Sequence, residues 1–360
     1  MSRSVVVQED LRAIADIIRS RAQRLAGKNL LVTGGTGFLG TYLLETVAYL
    51  NETVLAEPCR LYAITRDPRR FAERVPHVAA RPEITLVEGD VRHLSLPPVP
   101  WHFIVHAAAS SDARQFLQDP VGTAETIVQG TRAVLDAARG SCTEAVLFVS
   151  TGAVYGEQPP ECLWLSEQGC GGPDIRDPRS CYAEAKRYAE LLCRLYRTQH
   201  GVPSTIARVF ALVGPYQDLN STSAIVDFIR QALDGDTIRI RDDGRAVRSY
   251  CYIADAVAAL WRLLLRDGAG EVANVGSDRE AVSFVDLAER IGRCLGKSVT
   301  VTTAGAPPAG VLGRRYAPDV SYLATLEGFR PATSLDDALG RTIAWFKERH
   351  AVGPAPAYPR

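Results

Sequence analysis

The 360-residue chain has no net charge, 41 Lys and Arg balancing 41 Asp and Glu. The whole molecule therefore presents no field to attract a polyanion or an anionic surface, so nucleic acid and membrane are not expected as partners and any anionic ligand must be held locally. Long apolar runs are also missing: Leu30 to Leu50 is cut by Gly34, Gly35, Gly37, Gly40 and Glu45, where a bilayer span needs roughly 20 apolar residues. The start of the chain has no apolar core of a signal peptide, and Glu9, Asp10 and Asp16 interrupt the Arg12, Arg19, Arg21, Arg24 set that a transit peptide would use. A cytoplasmic protein is expected. The cysteines at 59, 142, 162, 170, 181, 193, 251 and 294 form no C-x-x-C pair and no zinc-like grouping, so no metal is expected and the thiols read as reduced and mostly buried. No internal repeat is present.

With 46% hydrophobic residues the chain can bury one large or two modest cores. Leu11, Ile14, Ile18, Ala22 and Leu25 recur at helical spacing, predicting an amphipathic N-terminal helix that ends at Gly27 and packs on the outside of the next domain. Short β-branched or apolar runs then alternate with helical patterns: Asn29–Thr33, Arg60–Thr65, Ile84–Glu88, Phe103–His106, Ala145–Ser150 and Thr205–Phe210, with helices over Phe38–Leu50, Pro120–Ala138 and Cys181–His200. That alternation predicts right-handed βαβ units and a doubly wound parallel sheet, an α/β fold of Rossmann type. Beyond Gly214 helical segments over Ala224–Leu233, Ile253–Leu265 and Val282–Leu295 mix with short strands, Thr237–Arg241 and Glu271–Asn274, as in a smaller C-terminal α/β substrate-binding lobe. The expected division is a helix at 1–27, a Rossmann-type domain at 28–213, a partly interleaved lobe at 214–350 and a frayed tail at 351–360. The Pro-, Gly- and Cys-rich loop Gln158–Arg179 is long enough to be functional or mobile.

Thr33-Gly34-Gly35-Thr36-Gly37-Phe38-Leu39-Gly40 comes directly after the first strand and opens the first helix of the sheet. Glycines at 34, 37 and 40 let backbone approach a pyrophosphate, aim free N–H groups and the positive helix end at it, and let helix pack closely on strand. Tyr182-Ala183-Glu184-Ala185-Lys186 places a phenol and an ammonium at i and i+4, one face of a helix. An ammonium beside a phenol lowers its pKa and makes tyrosine usable as a base. Ser150-Thr151 ends a strand upstream and supplies a hydroxyl for a substrate oxygen.

The G-x-x-G-x-x-G loop, the Ser-Thr strand end and the Y-x-x-x-K pair, in that order, resemble the extended branch of the short-chain dehydrogenase/reductase superfamily. The resemblance implies an NAD(P) site built from Gly34, Gly37, Phe38, Leu39, Gly40, Asp90, Val91, His106, Ala107 and Ala108, with Tyr182 and Lys186 at the nicotinamide end. It also implies catalysis by Thr151, Tyr182 and Lys186, hydride passing between a carbinol carbon and the nicotinamide while Tyr182 moves the hydroxyl proton. Where the second strand of NAD enzymes ends in Asp or Glu, this chain has Thr65-Arg66, with Asp67 late and Arg69 and Arg70 near; a guanidinium there suits a 2′-phosphate and favours NADP over NAD.

Tyr182 to Glu190, Arg208-Val209-Phe210, Val213-Gly214-Pro215, Arg248-Ser249-Tyr250 and Ile253-Ala254-Asp255 are similar to nucleotide-sugar epimerases, dehydratases and UDP-glucuronate decarboxylases. This implies a nucleotide-diphosphate sugar substrate, with Ser110, Arg248 and Arg315 among its contacts, and a homodimer through the helices at 120–138 and 181–200. Dehydratases of the group carry Asp-Glu after the catalytic Thr and decarboxylases a Glu in the second place; this chain has Gly152-Ala153, and Ala211 stands where several epimerases have Asn. The leading expectation is therefore a 4-epimerase or 4-ketoreductase. A decarboxylase or dehydratase drawing on Glu157 or Glu184 is a second reading, and a non-catalytic dinucleotide-binding sensor a third.

Overall fold

Every residue of the strand Asn29–Thr33 (β1) is buried, and the side each faces sets the layers: Leu30 and Val32 face one helical layer, Leu31 the other. In the computed structural model, which describes residues 3–109, 112–169, 171–305 and 313–351, β1 is joined by Arg60–Thr65 (β2), Ile84–Glu88 (β3), Phe103–His106 (β4), Ala145–Thr151 (β5), Ser204–Val209 (β6) and Val272–Val275 (β7). They form one seven-stranded parallel sheet in the order β7-β6-β5-β4-β1-β2-β3. The order reverses at β1, which pairs with β2 on one side and β4 on the other, Thr33 lying opposite Ile64 and His106. Such a switch point opens a crevice at the carboxyl ends of the strands.

Helices Val5–Ala22 (α1), Phe38–Thr53 (α2) and Ile253–Leu264 (α5) lie on the face of Leu30 and Val32. Helices Pro120–Arg139 (α3) and Cys181–His200 (α4) cover the other. The N-terminal helix buries Val7, Leu11, Ile14 and Ile18 completely. Burial raises the pKa of its Asp10, and hydroxyls donated by Tyr42 (2.7 Å) and Tyr252 (2.6 Å), with the Arg341 guanidinium at 2.7 Å, oppose that rise and pin α1 to three other elements.

Two boundaries differ from the sequence reading. The run near Glu271–Asn274 is not part of the lobe: Val272–Val275 returns to the main sheet and pairs with β6, so the chain visits the lobe between β6 and β7 and again afterwards. Val282–Ser283 is a strand rather than the start of a helix, because the Ser283 hydroxyl accepts from Asp286 N at 3.1 Å and caps Phe284–Leu295. The lobe otherwise consists of that helix, Ala224–Asp234, the pair Thr237–Ile240 with Thr300–Thr303, and three short strands, Val247–Arg248, Val282–Ser283 and Arg315–Tyr316.

The loop 158–179 is tied down where it is described. Leu165 exchanges backbone hydrogen bonds with Ala317 and Asp319, the Gln158 side chain accepts from Ala317 N, and Asn274 Nδ2 donates to Leu165 O. Among the seven described cysteines, all free, Cys59, Cys193 and Cys251 are buried, but Cys162, Cys181 and Cys294 are only half-buried and Cys142 is exposed, so burial is less general than the composition suggests. Among the described residues no helix is long and apolar enough to cross a membrane, and no cluster of His, Cys, Asp and Glu could hold a metal ion.

Candidate active site

The crevice at the switch point is a cavity of about 900 Å³ that runs from the glycine loop, past the ends of β2 and β3, to the first turn of α4. At its floor Gly34 has φ +73°, a conformation that side chains resist, and an added Cβ would stand 2.5 Å from Ala107 O. A Cβ on Gly40 would meet Gly34 O at 2.2 Å, so this glycine is what lets α2 close on the loop. Gly37 is the N-cap of α2, and Gly37, Phe38, Leu39 and Gly40 line the cavity. The first-turn N–H groups of a helix have no intrahelical acceptor. This cradle fits a dinucleotide pyrophosphate.

Arg66, Arg70 and Arg74 line the end of the cavity beyond β2. Asp67 is engaged as the cap of the helix Pro68–Arg74, accepting from Arg70 N at 3.0 Å. Asp90 and Val91 line the cavity as expected, but the Asp90 carboxylate is already held by Arg92, at 3.0 and 2.7 Å, which lowers its pKa to about 2. Ala107 and Ala108 line it as well. His106 is different: it is buried between the hydroxyls of Thr33 (2.6 Å) and Thr131 (3.0 Å), and burial lowers its pKa to about 3. It is a neutral imidazole joining β1, β4 and α3, not one of the cavity's lining groups.

Thr151, Tyr182 and Lys186 reach the cavity from the end of β5 and the start of α4. Burial pushes the Tyr182 phenol up to about 12, opposed by hydrogen bonding from Thr151. Lys186 Nζ donates to Val149 O at 2.7 Å and sits 4.7 Å from the Phe148 ring centroid, and burial lowers it to about 8. The Tyr182 phenol is thus raised where the sequence reading has it lowered, because burial outweighs the hydrogen bonding that opposes it. Behind Lys186, Glu190 accepts from Ser150 Oγ (2.6 Å) and pairs with Arg208 (2.6 Å), fixing α4 to β5 and β6.

The expected substrate residues fall apart. Arg315 points out of the cavity, donating to Leu163 O at 2.9 Å and lying 5.8 Å over the Trp164 ring. Arg248 lies over the rings of Phe284 (6.0 Å) and Tyr316 (5.3 Å), a layer behind the cavity wall. Ser110 lies outside the described residues. Two aromatic residues that sequence reasoning does not place in the site are in it. Phe116 stacks on Tyr182, centroids 4.6 Å apart and planes at 12°, and Tyr316 lines the far wall against Phe210 at 4.7 Å. Tyr316 is legible by parity: neighbours on a strand face opposite ways, so with Arg315 outward Tyr316 is inward.

Residues 30–276 match the NAD dependent epimerase/dehydratase family. The chain belongs to that family. Within it, the chain is 30% identical over 316 residues to UDP-glucuronic acid decarboxylase 5 of Arabidopsis thaliana, covering 86% of each chain. It is 32% identical over 325 residues to the low-salt glycan biosynthesis protein Agl12 of Haloferax volcanii, covering 88% of this chain and 98% of that one. Among solved structures it is similar to DesIV, a dTDP-glucose 4,6-dehydratase of Streptomyces venezuelae seen with NAD and TYD bound, with a TM-score of 0.76 and 27% identity over 90% of this chain and 98% of that one. The protein is thus an enzyme of the epimerase/dehydratase family, and the cavity at the switch point is its candidate active site.

Proposed function

We propose that this chain is an NAD(P)-dependent nucleotide-sugar 4-epimerase or 4-ketoreductase. The observation that carries the reading is that Thr151, Tyr182 and Lys186 meet on one wall of a cavity whose other end is the glycine cradle. The dinucleotide, held by Gly34, Gly37, Phe38, Leu39 and Gly40, supplies a hydride acceptor and donor. Tyr182 takes the proton from the sugar C4 hydroxyl and returns it, Thr151 holds the same oxygen, and Lys186 carries the positive charge beside them. The decarboxylase and dehydratase relatives are both named for nucleotide-sugar substrates, which supports the substrate class.

A second reading, decarboxylation, is favoured by the likeness to the decarboxylases. Against it stand Gly152 and Ala153, which bring no carboxylate, and the alternatives for the role: Glu157 is exposed and pairs with Arg314 at 3.2 Å, and Glu184 pairs with Arg187, neither lining the cavity. Incubation with a panel of UDP- and dTDP-sugars, read by mass spectrometry and NMR, separates the readings. A product of unchanged mass with inverted C4, or C4 reduction coupled to cofactor oxidation, is expected. Loss of carbon dioxide or water overturns the proposal in favour of the second reading.

Two finer assignments go with it. Arg66, at the end of β2 with its neighbour Asp67 engaged as a cap, supports NADP over NAD. Arg66→Ala should weaken NADPH binding by about tenfold while leaving NADH within about twofold, by fluorescence titration; equal losses for both contradict the assignment. We also propose a homodimer: on α4, Tyr188, Leu191 and Leu195 are 49%, 48% and 49% exposed and form one stripe, and Val121 on α3 is exposed as well.

A further inference from the structure

In the helix Ala113–Gln118, which links β4 to α3, every residue is exposed except Phe116, which is half-buried. The Phe116 ring lies on the Tyr182 ring, centroids 4.6 Å apart and planes at 12°, and Phe116 and Gln115 line the cavity. None of the helix's residues is buried, and Leu117, next to Phe116, is 65% exposed. A link between two elements does not by itself require an aromatic residue here.

The helix is tied to groups around the cavity at both ends. At its start the Asp112 carboxylate accepts from Arg114 N at 2.9 Å, capping the helix, and from Thr222 Oγ1 at 3.1 Å. Arg114 Nη2 donates to Asn220 O at 2.8 Å. Asn220 and Thr222 precede the lobe helix Ala224–Asp234, so these bonds bridge from the sheet side of the cavity to the lobe. At its end Asp119 N donates to Gln115 O at 2.9 Å, and the Asp119 side chain caps α3 by accepting from Gly122 N at 2.9 Å. The helix also lies against the turn Pro178–Ser180 that leads into α4 and Tyr182. The Phe116 ring is thus delivered to Tyr182 by contacts on several sides.

A tyrosine side chain turns about two torsions, and a group that moves a proton has to be held within about 0.5 Å of its working position. Stacking fixes the plane of the ring. A centroid separation of 4.6 Å leaves no room for a third ring, so that face of Tyr182 is closed and a ligand meets the phenol from its other side. Resting on the reading of Tyr182 as the acid/base, we propose that Phe116 is a positioning residue for the proton transfer, its ring held by the helix Ala113–Gln118 against Tyr182 so that the phenol keeps one orientation toward the cavity. Offset-stacked aromatic pairs are stronger than their buried area alone accounts for, so an aliphatic side chain would fill the space without defining the plane.

The test uses the full chain labelled with 3-fluorotyrosine, in which the fluorine resonance of residue 182 is the one lost in Tyr182→Phe. Phe116→Leu should shift and broaden that resonance and lower kcat roughly tenfold with KM within about twofold of wild type. Phe116→Tyr, which keeps a stacked ring, should leave resonance and kcat near wild type. Asp112→Ala removes the helix cap and the acceptor for Thr222; it should move the resonance the same way and lower kcat about threefold. Neither Phe116 nor Asp112 is fully buried, so each variant should fold. A resonance unmoved by Phe116→Leu, a moved resonance with kcat unchanged, or a raised KM at wild-type kcat overturns the proposal. The resonance is read without substrate. Absence of turnover on every nucleotide sugar would therefore sink the proposed reaction, while the resonance alone decides whether Phe116 seats the phenol.

Discussion

At the scale of single residues, the histidine of the H-A-A segment is the instructive case. Its position at the end of β4 makes it a cofactor contact by resemblance, yet the structure makes it a buried, neutral link between Thr33 and Thr131. The nearest sequence signal is strand parity again: His106 shares a face of β4 with Ile104, the face that α3 covers. This burial makes stability depend on pH. His106 titrates near 3 folded and near 6.5 unfolded, so the unfolded chain binds the extra proton between those values and stability falls as pH drops through that window. The loss should approach roughly 5 kcal/mol by pH 3. Chemical denaturation at stepped pH should show this slope, and His106→Gln should flatten it; parallel slopes in the two proteins contradict the assignment.

At the scale of elements, what the sequence carries best is what periodicity and glycine chemistry dictate. The six strands from β1 to β6 are read from alternating runs, and α2 and α4 from their spacing, because a parallel sheet buried on both faces needs continuous apolar strands. The seventh is misplaced by that reading: Val272–Val275 is four residues long and finds its sheet only once its partner β6 is known. The glycine loop is legible for the reason the structure gives, a positive φ and two close approaches. Gly40→Ala should therefore abolish dinucleotide binding, a loss of at least about 100-fold in affinity, since the methyl would collide with Gly34 O and lift α2 from the loop. Isothermal titration with NADPH and NADH checks it; wild-type affinity would show that the loop tolerates the displacement and that the cradle is elsewhere. The expected substrate residues are the least legible, because Arg248 and Arg315 come from strands two residues long, where neither periodicity nor propensity says which side faces inward.

At the scale of the whole molecule, a neutral chain with a cavity lined by arginines at one end and phenols at the other concentrates its chemistry instead of spreading it. The lobe is tied to the sheet by Tyr155, Asn274 and the loop through Leu165, so cavity and lobe form a continuous frame around the reacting groups. The exposed stripe on α4 predicts that the protein sediments as a dimer and that Leu191→Glu with Leu195→Glu gives a monomer without loss of fold; a monomeric wild type at micromolar concentration removes the dimer from the account. The central claim is that Tyr182 performs the proton transfer in that frame, and its most direct measurement is the pair of constants for Tyr182→Phe. Dinucleotide affinity should stay within about twofold of wild type while turnover of the accepted nucleotide sugar falls by about 100-fold or more. Turnover at the wild-type rate in that variant would contradict it.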